Sequence, residues 1–448
     1  MAEVSTITKV NFFRGYGIYT AGAYAKRLAS CVANIPFVFE DVVNREGTLL
    51  IAKGRIFESS DLNAIDSQHL RKPLDTLISL SNVLSSFEVE LDITRLLDAN
   101  AFLAALSERK QSIQIISTHL NNLSSHPLLQ QKLTVMKVTQ LSYYERTLMT
   151  LVFALLVAQE MRLTREDQES IIWAALYHDI GLLHLDEAIL QEDASLSVGD
   201  LLQLHAHVRV AQAIMALEGV VSSSVIDAVL DHQERCDGTG YPNGKLESEM
   251  SFLGQILGFS DSAVAIFYKR MLPQGRGWRD VAAAMAMSRQ SFMFRGGEVF
   301  QSLLRQSELP LANVISGSDA FGFSHQVLSE CAYLQRWFEV LRYHLMGAGF
   351  VHGDRHLHAL QNSVLHIAIA YKSVLEFNTA ESLTLPVQSD SGVIQSVDEL
   401  HLAQQELAYH VRRLTRMLMG YVSENRISDP LIQNLLDRCV LGIKPFIE

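Results

Sequence analysis

Cysteine is scarce in this chain. Cys31, Cys236, Cys331 and Cys439 are the full complement in 448 residues, they lie far apart, and no C-x-x-C pair occurs. A disulfide framework is therefore excluded as the organising device, and a reducing cytoplasm is the expected compartment. Proline (9) and glycine (25) are also few beside an apolar content of 48%, which excludes a disordered chain and points to a helix-rich globular one. Basic residues are outnumbered, 37 against 49 acidic, for a formal charge of −12. General nucleic-acid binding, which needs a basic face, is excluded. A small anionic nucleotide is not, because a metal or a few local Arg and Lys can reverse the field at one site. Long apolar runs are missing too. The longest, Leu148 to Ala158, falls well short of the ~20 residues of a membrane span and reads as a buried helix. The N-terminus has no basic-then-apolar secretory pattern, so the expectation is a cytoplasmic protein with no membrane association. No P-loop, G-x-S-x-G elbow, dinucleotide fingerprint or solenoid repeat is present.

The length suits two to four domains. Strand signals concentrate in residues 1–75, at Ile35 to Phe39 and Thr48 to Ala52, with Lys53-Gly54 as a turn; this reads as a small α/β module. Residues 76–135, with Leu77, Leu80, Val83 and Leu84 at helical spacing, read as a helical connector. Residues 136–305 form the best-defined unit, with helices expected over 141–162, 166–180, 197–217, 222–234 and near 251–267, then at 276–289 and 296–306. Residues 306–448 read as a C-terminal helical domain with segments 323–347, 354–378, 396–424 and 429–441, and Thr384 to Ser396 as an internal linker. The expected fold class is mainly α.

Within the central unit stand His178-Asp179-Ile180-Gly181 and, roughly fifty residues later, His232-Gln233-Glu234-Arg235-Cys236-Asp237-Gly238-Thr239-Gly240-Tyr241-Pro242. An adjacent His-Asp offers an imidazole and a carboxylate that can bridge two cations. Phosphodiester hydrolysis at neutral pH needs a strong nucleophile and charge neutralisation, which a two-metal site supplies, and imidazole with carboxylate suits Fe, Mn or a similar metal. On these segments the chain resembles the HD-GYP family, a branch of the HD metal-dependent phosphohydrolases whose members typically hydrolyse cyclic di-GMP.

The resemblance implies an all-helical HD-type domain. It casts His178, Asp179, His207, His232 and Asp261 as metal ligands, with Gln233 as a further candidate. Asp179 is the implied bridging ligand and water activator, and Gly240, Tyr241 and Pro242 are the implied GYP loop. Arg209, Arg235, Lys269 and Arg270 are candidate phosphate contacts. Three positions depart from the family pattern. Counting back from His178 by the family spacing reaches Arg146 instead of His, the second His of the later doublet is Gln233, and the Lys that usually follows His-Asp-Ile-Gly is Leu182. A guanidinium about 5 Å from a divalent cation repels it by several kcal/mol at an effective dielectric of about 20, so an inward Arg146 and a metal at that position exclude each other. The second position keeps Asp179, His207 and His232, so the cofactor expectation is one divalent metal or none. The leading functional reading is a degenerate cyclic di-GMP signalling protein that binds a nucleotide or a partner such as a diguanylate cyclase; a homodimer is compatible with it. An active cyclic di-GMP phosphodiesterase is the alternative. A phosphorelay adaptor using His344 or His410 in the C-terminal helices is a third reading, and a metal site at His352, Asp354, His356 and His358 ranks below it.

Overall fold

The computed structural model describes residues 22–65, 70–191, 198–308, 320–347, 357–365, 367–368, 391–423 and 430–447. The chain is mainly helical. Its described sheets are two antiparallel pairs, β1 (Pro36–Val38) with β4 (Ile78–Leu80) and β2 (Val42–Val43) with β3 (Leu49–Ile51). By packing, the chain divides into two compact units, residues 1–233 with 251–264, and residues 234–250 with 265–448.

In the first unit, α1 (Ala23–Ser30) precedes the small strands; β1 and β3 lie within the two expected strand runs, whereas β2 and β4 were not expected. The connector begins differently from its expected helix. Leu80 pairs with Pro36 and Ile78 with Val38, so the apolar residues here are a strand and the helix waits until α2 (Ser86–Asp98). The reason is local as well as tertiary. Strand pairing claims residues 78–80, and Ser85 with Glu88 forms a reciprocal capping box that starts the helix at Ser86. α3 (Ala101–Lys110), α4 (Ser112–Leu120) and α5 (Pro127–Thr139) follow.

α6 (Leu141–Glu160) is the centre of the first unit, with thirteen buried residues that include the whole run Thr147 to Ala158. It is long and apolar enough to cross a membrane. Its all-round apolar surface is instead covered by protein, as expected for the innermost helix of a bundle. α7 (Arg165–Tyr177), capped by Thr164, packs along it, with α8 (Val198–Glu218), α9 (Ser223–Asp231) and α10 (Phe252–Ile266) completing the core. α7 stops at Tyr177, short of the expected residue 180. His178 and Asp179 therefore occupy a turn, and a short 3-10 helix runs from Ile180 to His184.

Beside this turn lies a buried polar network. Lys132 of α5 and Asp75 form an ion pair with almost no exposure. His184 Nε2 sits 2.9 Å from Lys132 Nζ, and Tyr24 of α1 stacks on the His184 ring at 4.9 Å between centroids.

The second unit holds the loop after His232, α11 (Trp278–Met287), α12 (Gly296–Ser307) and a C-terminal bundle of α13 (Ala320–Gly347), residues 357–365, α14 (Ser391–Ser423) and α15 (Pro430–Ile447). Trp337, Leu341, Leu360, Val411, Leu418 and Ile443 are among its buried core. The expected linker ends early, since Ser391 already opens α14; residues 384–390 lie outside the described residues, as do His352, Asp354 and His356, while His358 is on a described helix.

Two outcomes follow. Phe153→Ala, which removes a fully buried ring stacked on Phe259 at 6.4 Å, should cost about 3–5 kcal/mol and lower the thermal midpoint. Burial, the Lys132 charge beside it and the Arg27 charge push the His184 imidazole down to about 4, against the pull of Asp75. An unfolded imidazole takes up its proton near pH ~6.5, so stability is lost as pH falls from there through about 4. Melting curves between pH 7 and 4.5 should show this loss, and His184→Gln should flatten it.

Candidate metal centre

The first unit gathers six of the expected groups around Asp179, from elements far apart in the chain. Asp179 leaves the end of α7, His207 comes from the middle of α8, His232 and Gln233 follow the end of α9, Asp261 lies on α10, and Arg146 lies on α6. His178, Asp179, His207, His232 and Asp261 are all buried.

Asp179 divides its two oxygens. Oδ1 faces His207 Nε2 at 3.6 Å and His232 Nε2 at 4.0 Å. Oδ2 faces His178 Nε2 at 3.4 Å and the Arg146 guanidinium at 3.9 Å. This is the disposition a bridging carboxylate needs. Two donor groups result, each with its atoms within 4.8 Å of one another: Asp179 with His207 and His232, and His178 with Asp179 and Asp261.

The imidazoles are oriented by their own helices. His178 Nδ1 bonds Ala175 O at 2.7 Å, His207 Nδ1 bonds Leu204 O at 2.6 Å, and His232 Nδ1 bonds Val229 O at 2.6 Å. With Nδ1 carrying the proton towards a carbonyl three residues back, each Nε2 points into the site; this is how metal-ligating histidines are commonly fixed. Neutral imidazole is the ligand form. Burial, together with the charges of His178 and His207, holds His232 down at about 3, and burial lowers His207 as well. The Asp179, His207 and His232 donor set thus fits a divalent cation.

The other donor group is already charge-balanced by the protein. Arg146 Nη2 donates to Asp261 Oδ1 at 3.3 Å, and Gln233 Nε2 donates to Asp261 Oδ2 at 3.1 Å. Burial opposes the Arg146 charge, but Asp261 and Asp179 overcome it and raise its pKa. Burial likewise works against a charged His178, and the carboxylates of Asp179 and Asp261 win, lifting it to about 10. Both carboxylates resist burial in turn and stay well ionised, chiefly through His178 and Arg146. Two carboxylates are thereby matched by two protein cations.

Leu182 is buried with Leu185 and Leu190 in an apolar cluster that also touches Tyr143 and Leu204. Sequence reasoning missed Gly258. A Cβ there would lie 2.5 Å from His232 O, so only glycine lets α10 approach α9 closely enough to bring Asp261 to the site. The G-x-x-x-G spacing of Gly254 and Gly258 one turn before Asp261 was the available signal.

The remaining expected residues fall elsewhere. Arg209 is half-buried on α8. Arg235, Lys269 and Arg270 belong to the second unit. There Arg235 Nη1 bonds Glu234 O at 2.8 Å, Lys269 is exposed, and Arg270 is held by the buried Glu406 of α14 in an ion pair. The GYP loop is built by its own acids. Glu234 accepts from Asn243 N at 2.7 Å and Lys245 N at 2.9 Å. Asp237 accepts from Thr239 N at 3.0 Å and Ser291 Oγ at 2.7 Å. A Cβ on Gly240 would lie 2.4 Å from Glu234 Cα, and Tyr241-Pro242 is a cis peptide. Arg413 of α14 donates to Thr239 Oγ1 at 2.7 Å, and His410 Nε2 lies 2.6 Å from Ser288 Oγ.

Comparison with known proteins gives likenesses over the segment that holds these residues. Residues 100–293 match the family model described as HD domain. A cyclic di-GMP phosphodiesterase of Pseudomonas aeruginosa is 30% identical over 132 residues, covering 30% of this chain and 31% of that protein. A 3'3'-cGAMP-specific phosphodiesterase of Vibrio cholerae is 30% identical over 115 residues, 25% of this chain and 26% of that one. A cyclic di-GMP phosphodiesterase of Thermotoga maritima is 28% identical over 130 residues, 28% and 35%. The matched segments span about a third or less of these relatives. Among solved structures, an HDG"Y"P protein from Bdellovibrio bacteriovorus aligns over 61% of this chain and 98% of its own, with a TM-score of 0.34 and 16% identity. The family match and the three phosphodiesterase relatives support an HD domain of the HD-GYP type within residues 100–293.

Proposed function

We propose that this protein is a cyclic di-GMP signalling protein whose HD-GYP centre retains one cation position, at Asp179, His207 and His232, and has lost two-metal hydrolysis. In this reading it binds cyclic di-GMP or a related nucleotide, or a partner such as a diguanylate cyclase, and acts by occupancy instead of turnover. Residues 1–75 form the input module, 76–135 the connector, 136–305 the HD-GYP-like domain and 306–448 the C-terminal helical domain. The observation that carries the reading is the Arg146 guanidinium lying between Asp261 and Asp179 at 3.3 and 3.9 Å. A fixed protein cation there balances the charge that a second metal would otherwise balance.

The chain's own residues divide the work. His207 and His232 offer neutral Nε2 atoms, and Asp179 offers Oδ1. Fe, Mn or a similar divalent ion held by them would supply Lewis acidity and lower the pKa of a bound water. Arg146 and His178 hold the opposite side of Asp179, while Gln233 fixes Asp261 through a neutral hydrogen bond. Leu182 leaves its position without a cation for substrate phosphate, and Glu406 already pairs with Arg270.

A second reading, an active phosphodiesterase giving pGpG or GMP, is favoured by the intact Asp179, His207 and His232 set. Metal analysis of protein purified without chelator, alongside cyclic di-GMP turnover with Mn or Fe, separates the two. About one metal per chain and no robust turnover are expected of the natural sequence; robust turnover would overturn the non-catalytic reading. Arg146→His combined with Gln233→His should raise the metal content towards two and bring hydrolysis with it. Arg146→Ala leaves buried carboxylates short of a cation, a change worth about 3–5 kcal/mol, so its melting temperature should fall in chelator and recover with Mn²⁺.

A further inference from the structure

Immediately after Asp179 the chain enters the 3-10 turn Ile180–His184, and the N-terminal module grips that turn. Arg27 of α1 is buried and donates through Nη1 to Leu183 O and to Leu185 O, each at 2.7 Å. With the Gln140 amide turned oxygen-inward, its Oε1 accepts from Nη2 and Nε of the same guanidinium at 2.8 and 3.2 Å. The carbonyls at the end of a helical turn have no partners within it and carry partial negative charge, so a guanidinium is well suited to hold them. One residue along the same turn, His184 Nε2 lies 2.9 Å from Lys132 Nζ and 3.3 Å from Asp75 Oδ1. Tyr24 stacks on the ring and accepts from Gln131 Nε2 at 3.0 Å.

The turn has no slack on its other side. A Cβ on Gly181 would lie 2.0 Å from His207 O and 3.1 Å from Ala211 N. Its backbone therefore rests against the backbone of α8 at His207. A movement of the turn displaces Asp179, two residues before Gly181, and presses on His207. The module reaches two members of the metal-binding set in this way without touching either.

We infer that Arg27, Asp75, Lys132 and His184 are positioning residues that set the mutual placement of Asp179 and His207, so that the N-terminal module governs the affinity of the centre for its cation. The inference rests on the reading that Asp179, His207 and His232 hold a divalent ion. Arg27 and Asp75 are the module's contribution, Lys132 and His184 the receiving side. A signal that shifts α1 or the Asp75 segment would be passed to the centre through two buried contacts.

The test uses the full chain titrated with Co²⁺, followed by the visible d–d bands, for the natural sequence, Arg27→Gln, Arg27→Lys and Asp75→Asn. Loss of a group supporting metal ligands typically weakens affinity about tenfold or more. Arg27→Gln and Asp75→Asn should show a loss of that order with altered bands, and Arg27→Lys should recover part of it. Lower melting temperatures with unchanged Co²⁺ affinity and band shape would reduce these residues to structural supports and overturn the inference. A second readout needs no metal. In chelator, with ¹⁵N-labelled histidine, the ring-nitrogen resonances of His207 should move on Arg27→Gln; static resonances overturn the inference. If the natural chain binds no Co²⁺ while these resonances do move, the single-cation reading fails and the positioning role stands. If Arg27→Gln does not fold, Arg27→Lys carries both readouts, because it removes the two-carbonyl fork and keeps the charge.

Discussion

The centre of the protein depends on two carboxylates, Asp179 and Asp261, buried within reach of the same imidazole and the same guanidinium. An ionised carboxylate taken out of water is strongly unfavourable unless it is paired and hydrogen-bonded. Two of them side by side demand two positive charges, and in a metal-dependent domain cations supply these. Here Arg146 and a protonated His178 do so from within the chain. The core can therefore close around the site, with Thr147 to Ala158 of α6 buried, without requiring an ion at each position.

The same constraint is met by neighbours of Asp261: Arg146 donates to one of its oxygens and Gln233 donates a neutral hydrogen bond to the other. Leu182 packs with Leu185 and Leu190. In the second unit, Arg270 is paired with Glu406 and Arg276 with Asp398, both carboxylates being buried on α14. Arg270, a candidate phosphate contact, is thus paired within the protein. Asp179 Oδ1 with His207 and His232 is the arrangement that keeps a metal-ligand character, because its two histidines are neutral and oriented by their helices.

Much of the fold was legible along the chain. The 3.6-residue periodicity and the apolar run at 148–158 marked the helices and the innermost one, since burial on all faces leaves no polar stripe. The strands at 36–38 and 49–51 followed from β-branched composition between turn residues. Residues 77–84 misled, because Leu77, Leu80 and Leu84 satisfy a helical period equally well, and only the pairing of Ile78–Leu80 with Pro36–Val38 decides for a strand. The end of α7 misled for a related reason. Nothing near His178 breaks a helix in sequence except Gly181, whose purpose is the approach of its backbone to His207, 26 residues away.

What the sequence by itself determined is chemical identity: which residues can ligate, which family spacing they keep, and that Arg146, Leu182 and Gln233 stand where ligands or a phosphate contact would be expected. Those follow from side-chain type and spacing, which are local properties. Tertiary structure alone decided that Asp179 turns one oxygen to His207 and His232 and the other to Arg146 and His178. It alone decided that Arg146 reaches Asp261, 115 residues away, and that Arg27 holds the turn after Asp179, 156 residues away. The physical reason is that charge balance in a buried site is a property of all groups within a few ångströms, and the chain brings these together from segments whose separation in sequence carries no trace of their contact.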